Sequence, residues 1–414
     1  MFGKKALTLH SLPKKRLLYM NKIISYIRHC CCLLLLVVNT STATAQDDST
    51  LNQRLQLLLQ DEIFETSTVG IKVYDLTADS TLFAYNDRQL MRPASTLKMM
   101  VAVTALHRLG ADYNYCTTLC HTGKVTGATL HGDLYCRGGF DPAFSIHDME
   151  AWADSLAAWG IDSIMGDLYA DKSMKDTLLL GEGWCWDDDN PTLSPLLVGR
   201  KDNFTSTFSR ILKDKGIVLT GRLKEGRTPR AADVLVEKKR KLTDILERMM
   251  KKSDNLYAES MFYQLACDGS RHTTGSARQG RQAVNRLISA LDYKPKSYYV
   301  ADGSGLSLYN YVSPELEVAF LRHAFKHDNI YLPLLSSMPV AGVDGTLGKR
   351  MRRGAAYRNV RAKTGTVTGV SALAGYCTAP NGHILCFSII NMGITDAEIG
   401  RNFQDKVCET LCQP

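Results

Sequence analysis

The chain has 414 residues, 45% of them hydrophobic and 22% charged, with 50 Lys/Arg against 42 Asp/Glu, an ordinary soluble globular composition long enough for more than one domain. Residues 1–45 hold seven Lys/Arg and no acid, so beyond them 43 basic residues face 42 acidic ones. With that balance, and with no basic run interleaved with aromatics, a nucleic-acid partner is excluded.

At the N-terminus, Lys14, Lys15, Arg16, Lys22 and Arg28 precede the apolar run "CCCLLLLVV" (30–38), and Ala43 and Ala45 follow at A-x-A spacing. This reads as a secretory signal peptide over 1–45, cut after Ala45. The run is too short to span a bilayer, so the mature chain is expected to be exported and periplasmic, with no permanent membrane span. "LNQRLQLLLQ" (51–60) has helical apolar spacing. "STVGIKVYDL" and "STLFAYNDRQ" read as a hairpin turning at Thr77 to Ser80. Pro93 and Ala94 then lead into a helix that carries Ser95 and ends near Gly110.

Between about 116 and 235 the pattern changes to short β-like runs separated by Gly/Asp turns, one helix ("DMEAWADSLAAWG") and the aromatic acidic loop "GEGWCWDDDNP". This reads as an inserted α+β module. Helical spacing returns at Leu242, Ile245, Leu246, Met249 and Met250. Ser253 to Asn255 form a short loop before a second helix, "LYAESMFYQLAC". A helical region at about 314–338 is followed by three strands, "VRAKTGTV", "SALAGYCTA" and "HILCFSIINM", and by a closing helix, "AEIGRNFQDKVCETL". A single sheet forms if the first hairpin pairs with these last strands.

Nine cysteines follow the leader, with no CxxC metal framework. In "CTAPNGHILC" an Asn381-Gly382 two-residue turn would set Cys377 opposite Cys386 for a disulfide. Pro380 fits a type I turn with a Gly382 bulge better, and that shifts the register by one.

S-x-x-K alone is weak evidence, because about one or two copies occur by chance in a chain this long, and Ser11 with Lys14 is one. At Ser95 the plain alternative is an N-cap beside a surface lysine. Against it, residues i and i+3 share a helix face, so Lys98 Nζ can reach Ser95 Oγ. An amine kept neutral there, among Leu97, Met99, Met100 and Val101, can take the hydroxyl proton. Ser253-Asp254-Asn255 and Lys363-Thr364-Gly365 complete the ordered set S-x-x-K, S-x-N, K-T-G of penicillin-interacting serine enzymes.

The expected roles are proton relay for Ser253 and donation to a substrate carbonyl for Asn255. Lys363 supplies a fixed positive charge for a terminal carboxylate, Thr364 adds a hydroxyl, and Gly365 lets a peptide lie along the strand. The N–H groups of Ser95 and Thr366 form an oxyanion hole. Asp254 is the residue of this set with a structural role open to it. No motif announces a metal or cofactor. His323 and His327 lack the Glu of H-E-x-x-H, Gly303-Ser304-Gly305 reads as a turn, and Asp187 to Asp189 with Trp184 and Trp186 read as a solvated loop.

With these motifs, and with "GDLYCRGGFDP" (132–142), "GEGWCWDDDN" (181–190), "DGSGLSLYNYVSP" (302–314) and "PVAGVDGTLGKR" (339–350), the sequence resembles the class C low-molecular-mass penicillin-binding proteins of the DacB type. The resemblance implies an α/β chain of α+β type. A serine β-lactamase/transpeptidase-like domain (46–115 and 236–414), with a central antiparallel sheet flanked by helices, would be interrupted by an α+β domain (116–235). It implies D-Ala-D-Ala carboxypeptidase activity, often with endopeptidase activity, on peptidoglycan stem peptides, and acylation of Ser95 by β-lactams. Ser95 and Ser253 are 158 positions apart, room for one inserted module where larger relatives carry a second. The rivals are a β-lactamase, which needs a water-activating carboxylate that no motif announces, and a sensor without turnover, which would have lost a motif residue.

Overall fold

The computed structural model describes residues 51–186, 190–267 and 273–414. The leader and the run Asp187 to Asp189 lie outside these residues. In chain order the first elements are a helix over 51–57 (α1), α2 (Ile63–Thr66), the hairpin β1 (Thr68–Asp75) and β2 (Ser80–Tyr85), and α3 (Leu97–Leu109). A stretch of short elements follows: β3 (Asn114–His121), β4 (Lys124–Thr126), β5 (Thr129–His131), β6 (Leu134–Arg137), α4 (Ile146–Ala158), β7 (Ser163–Ile164), β8 (Leu168–Asp171), α5 (Phe204–Asp214), β9 (Val218–Leu219), β10 (Leu223–Glu225) and β11 (Asp233–Lys241). Next come the helices α6 (Leu242–Lys252), α7 (Asn255–Cys267), α8 (Ala277–Ala290), α9 (Pro314–Phe325) and α10 (Asp328–Ser337). The chain closes with β12 (Arg361–Val367), β13 (Val370–Thr378), β14 (Ile384–Met392) and α11 (Ala397–Cys412).

The first hairpin does join the last three strands, in the antiparallel order β12-β13-β14-β1-β2. β13 and β14 read as near-continuous apolar runs because helices cover both faces. Parity along β13 decides which helix each side chain meets. Ser371 contacts Gln404 of α11, whereas Tyr376 donates its hydroxyl to Leu321 O of α9. β12 is an edge strand. Beneath the sheet lie α3 and α7, apolar almost all round and buried along nearly their whole length.

Residues 114–241 build two further sheets, β10-β8-β6-β3-β11 and β4-β5-β7-β9. Their own core centres on Trp152, ringed by Phe144, Phe204 and Phe208 at 5.1–6.0 Å. Where one helix was expected there are two: α5 buries Phe204, Phe208, Ile211 and Leu212 along one side. Asn114 pairs with Lys241, so the chain returns beside its point of departure and runs straight into α6. That return carries Ser253 back to the Ser95 region.

The β13–β14 turn has the bulged form: Gly382 N–H donates to Ala379 O, with Gly382 at φ 85°. Cys377 therefore pairs with Leu385, and Cys386 with Tyr376. One step out of register, the two thiols emerge on opposite faces, and no disulfide joins them. Among the described residues no helix is long and apolar enough to cross a membrane.

A buried carboxyl ties this framework to the Ser95 turn. Ser388 Oγ of β14 donates to Glu317 Oε2 at 2.6 Å. Thr96 Oγ1 lies 2.7 Å from Pro93 O and 2.5 Å from Glu317 Oε1. One hydroxyl proton cannot serve both oxygens, so the contact with Oε1 is completed when the Glu317 carboxyl is protonated and donates. Burial accordingly raises this group to about 7. Above its ordinary value of 4.5 the unfolded chain has lost a proton that the folded one keeps. Stability from this site is thus expected to fall as pH rises from about 4.5 to about 7, by about 3 kcal/mol. Denaturant midpoints of the native protein and Glu317→Gln measured across that range should converge or cross in favour of the variant as pH rises; parallel curves would refute the assignment.

Candidate active site

Ser95 stands in a 3-10 turn, Ala94–Thr96, that runs into α3, and its side chain caps nothing. The turn is clamped from two sides by glycines. A Cβ on Gly365 of β12 would lie 2.7 Å from Pro93 O and 3.0 Å from Ser95 N, and one on Gly305 would lie 1.8 Å from Ala94 O. The lack of a side chain at Gly365 makes room for the Ser95 turn. Ala94 holds φ 48°, a left-handed conformation that this clamp enforces.

Lys98, one turn into α3, is fully buried. Its Nζ lies 2.8 Å from Ser95 Oγ, 2.8 Å from Asn255 Oδ1 and 2.6 Å from Ser304 O. A neutral amine has two hydrogens and one lone pair. Asn255 Oδ1 and Ser304 O can only accept, so they take the hydrogens and the lone pair is left for the Ser95 hydroxyl. Burial pulls this lysine down to about 8, against the opposing pull of Asp302, Glu259 and Asp254. With Oδ1 engaged, Asn255 keeps its Nδ2 to donate.

Ser253 terminates α6 in a left-handed conformation, φ 56°, which turns the chain into α7 within two residues. Its Oγ accepts from Lys363 Nζ at 2.8 Å and is not among the groups bonded to Lys98. Lys363 also donates to Thr364 O at 2.7 Å and is fully buried. Burial and the neighbouring Lys98 hold it well below the ordinary lysine range. Thr364 Oγ1 donates to Thr346 Oγ1 at 2.8 Å. Ser95, Ser253, Thr364 and Thr366 line one cleft of about 490 Å³. Ser95, in the first turn of its helix, has an N–H without a helical acceptor. Asp254 Oδ2 accepts from Arg200 at 2.7 Å and Arg248 at 3.0 Å, a structural clip.

Several participants were not visible beforehand. Ser304 contributes a backbone carbonyl, held in place because Glu259 Oε1 accepts from the N–H groups of Gly303 and Ser304 at 3.0 and 2.8 Å. Burial raises the Glu259 carboxyl to about 8. Its spacing of four from Asn255 on α7 was the available signal. Asp302 receives donors from Ser304, Gly305, Ser307, Asn310 and Trp184, so "DGSGLSLYN" is the turn that the sequence suggested, with the "GEGW" loop pinned to it. His323 packs against His107 and His327, with His323 Nε2 3.2 Å from His107 Nδ1.

An antiparallel sheet whose edge strand carries K-T-G beside an S-x-x-K helix is the serine β-lactamase/transpeptidase-like fold. Within it, residues 51–197 and 198–413 match the D-Ala-D-Ala carboxypeptidase 3 (S13) family, and the chain belongs to that family, as a serine-type carboxypeptidase. It is 28% identical to the D-alanyl-D-alanine carboxypeptidase of Actinomadura sp. (strain R39), covering 83% of this chain and 81% of that one. It is 27% identical to the D-alanyl-D-alanine carboxypeptidase DacB of Haemophilus influenzae, covering 80% and 86%. The crystal structure of penicillin binding protein 4 (dacB) from H. influenzae superposes with a TM-score of 0.78 at 24% identity, over 89% of this chain and 99% of that one.

The glycine clamp is testable without substrate. Gly365→Ala must push β12 off the Ser95 turn, at a cost of about 1–3 kcal/mol. The expected result is a lower thermal midpoint together with faster amide exchange at residues 94–96; an unchanged midpoint and exchange would dismiss the clamp.

Proposed function

We propose that this carboxypeptidase works in the periplasm, releasing the terminal D-alanine of peptidoglycan stem peptides and also cleaving D-alanyl cross-links, through an acyl-enzyme on Ser95. The observation that carries this reading is the buried Lys98 Nζ, 2.8 Å from Ser95 Oγ, 2.8 Å from Asn255 Oδ1 and 2.6 Å from Ser304 O: once the amine is neutral, the last two oxygens take its hydrogens and its lone pair faces Ser95 Oγ. Lys98 accepts the hydroxyl proton as Ser95 attacks the D-Ala-D-Ala carbonyl. The N–H groups of Ser95 and Thr366 receive the developing oxyanion. Ser253, held by its bond from Lys363, relays to the departing amine the proton that Lys98 took up, as the C–N bond breaks, and this leaves Lys98 neutral to activate the deacylating water. The substrate lies along the edge strand β12, with Asn255 Nδ2 donating to its backbone. Water then hydrolyses the ester. β-Lactams acylate Ser95 in the same way; a β-lactam complex of the H. influenzae penicillin binding protein 4 supports this for a relative.

The terminal carboxylate arrives at Thr364 beside Lys363. A nearby anion favours the lysine's charged form, and a charged Lys363 in turn disfavours charge on Lys98. Substrate binding thus sharpens its own base. We also assign residues 46–115 and 236–414 to the catalytic domain and 116–235 to an inserted one, supported by the separate core around Trp152 and the pairing of Asn114 with Lys241.

The first test is mass spectrometry of the mature protein with a penicillin and, separately, with a pentapeptide ending in D-Ala-D-Ala, beside Ser95→Ala. The expected result is a stable adduct on Ser95 and release of D-alanine by the unmutated protein alone. Rapid penicillin hydrolysis would indicate a β-lactamase, an adduct without turnover a sensor, and no adduct would remove Ser95 from the mechanism. The second test is pH dependence. The active base is the neutral amine, so kcat/KM should rise about tenfold per pH unit below about 8 and level off above it. The corresponding limb in kcat should lie at lower pH, because bound substrate charges Lys363. Coincident limbs would contradict the coupling, and Lys98→Met should lower acylation by on the order of 10²–10⁴.

A further inference from the structure

Past Thr364 the cleft continues over residues 345–350 and the start of α11, and its lining there is basic: Lys349, Arg350 and Arg401. No carboxylate among the described residues lines this cleft. Arg350 is already committed, with its guanidinium 2.6 Å from Asp405 Oδ1 and 3.1 Å from Gln404 Oε1. Lys349 and Arg401 are exposed, and neither side chain makes a hydrogen bond or ion pair with another described residue. Lys349 and Arg401, like charges with no counter-ion among the described residues, repel one another and give the cleft a positive field suited to an anionic ligand.

Under the proposed function one carboxylate already has a seat, at Lys363 and Thr364. The hydroxyl bond from Thr364 to Thr346 joins that seat to the 345–350 segment, so a leaving group longer than one residue, held by its carboxylate at Thr364, would extend over Lys349 and Arg401 in the same cleft. Released D-alanine ends at its single carboxylate and has nothing to offer them. The leaving portion of a cross-link is a whole stem peptide, which carries further carboxylates. We propose that Lys349 and Arg401 form a second anion subsite that favours leaving groups bearing a carboxylate beyond the one held at Thr364. The proposal rests on the carboxypeptidase reading above and makes this part of the cleft the determinant of choice between a single terminal residue and a cross-linked stem.

The test uses three synthetic acyl-D-Ala-X peptides that differ only in X: D-Ala, D-Glu and its uncharged isostere D-Gln. For the unmutated protein at low ionic strength, kcat/KM for D-Glu should exceed that for D-Gln by about five-fold, the size expected of exposed ion pairs. The difference should lie mainly in KM. The ratio should fall to near unity in Lys349→Gln/Arg401→Gln and at high salt, and should persist in Lys349→Arg. Equal rates for D-Glu and D-Gln in the unmutated protein, or a preference that survives in the double variant, would overturn the subsite. Because D-alanine release from the X = D-Ala peptide is measured alongside, that failure is distinguishable from failure of the underlying reading. If none of the three peptides is cleaved, the carboxypeptidase reading falls and takes the subsite with it.

Discussion

An ammonium in the place of Lys98 Nζ is expensive because the side chain is fully buried in the first turn of an apolar helix. The rest of the catalytic region is arranged around that desolvation. Three oxygens satisfy the amine whichever protonation state it holds, and nearby carboxyl groups keep its affinity for protons from collapsing. Without burial the amine would hold its proton up to about 10.5; burial brings a neutral amine within reach near pH 8. Without the oxygens, burial would leave unpaired hydrogens at a cost that the fold would have to absorb elsewhere.

This arrangement demands precision from four separated segments. The 3-10 turn brings Ser95, α7 brings Asn255, the 302–305 turn brings a carbonyl, and β12 closes the side. Each is held by a specific device. Gly365 and Gly305 permit close backbone approach, Glu259 fixes the carbonyl by binding two N–H groups, and Asp302 ties five donors into one rigid turn. Glu317 performs the same task from below, linking the Ser95 turn to α9 and β14. Buried carboxyl groups, Glu259, Asp302 and Glu317, appear at three of these joints because one carboxyl can engage several partners in little space.

The sheet explains why the cleft is where it is. With β13 and β14 covered on both faces, reactive side chains have little access to solvent from the sheet centre. The edge strand β12 pairs on its outer side with residues 339–341 at its start, leaves its backbone open beyond that, and packs against the Ser95 turn, so under the proposed function peptide binding and chemistry meet at one place. The excursion through residues 114–241 leaves this untouched because its two ends are paired strands, and 158 positions of sequence collapse to a short distance between Ser95 and Ser253.

By itself the sequence determined the carboxypeptidase class, the candidates for nucleophile and base, and most of the elements. Those features are written in short-range periodicity: three residues of spacing put Ser95 and Lys98 on one helix face, and alternation marks β12 to β14. The period of α5, carried by Phe204, Phe208, Ile211 and Leu212, is masked in the sequence by the short β-like runs around it. Only the tertiary structure decided which groups surround the two lysines. Every residue carries a carbonyl, so nothing in the residue type marks Ser304 O as a partner of Lys98. Ser253 pairs with Lys363 rather than Lys98 because of where α6 ends relative to β12. The disulfide considered between Cys377 and Cys386 failed on a one-residue register set by a bulge. Desolvation, which tunes Lys98, Lys363, Glu259 and Glu317, is a sum over everything packed nearby and has no local signature. The charges of Lys349 and Arg401 were legible as letters; their sharing one cleft with Ser95 was not.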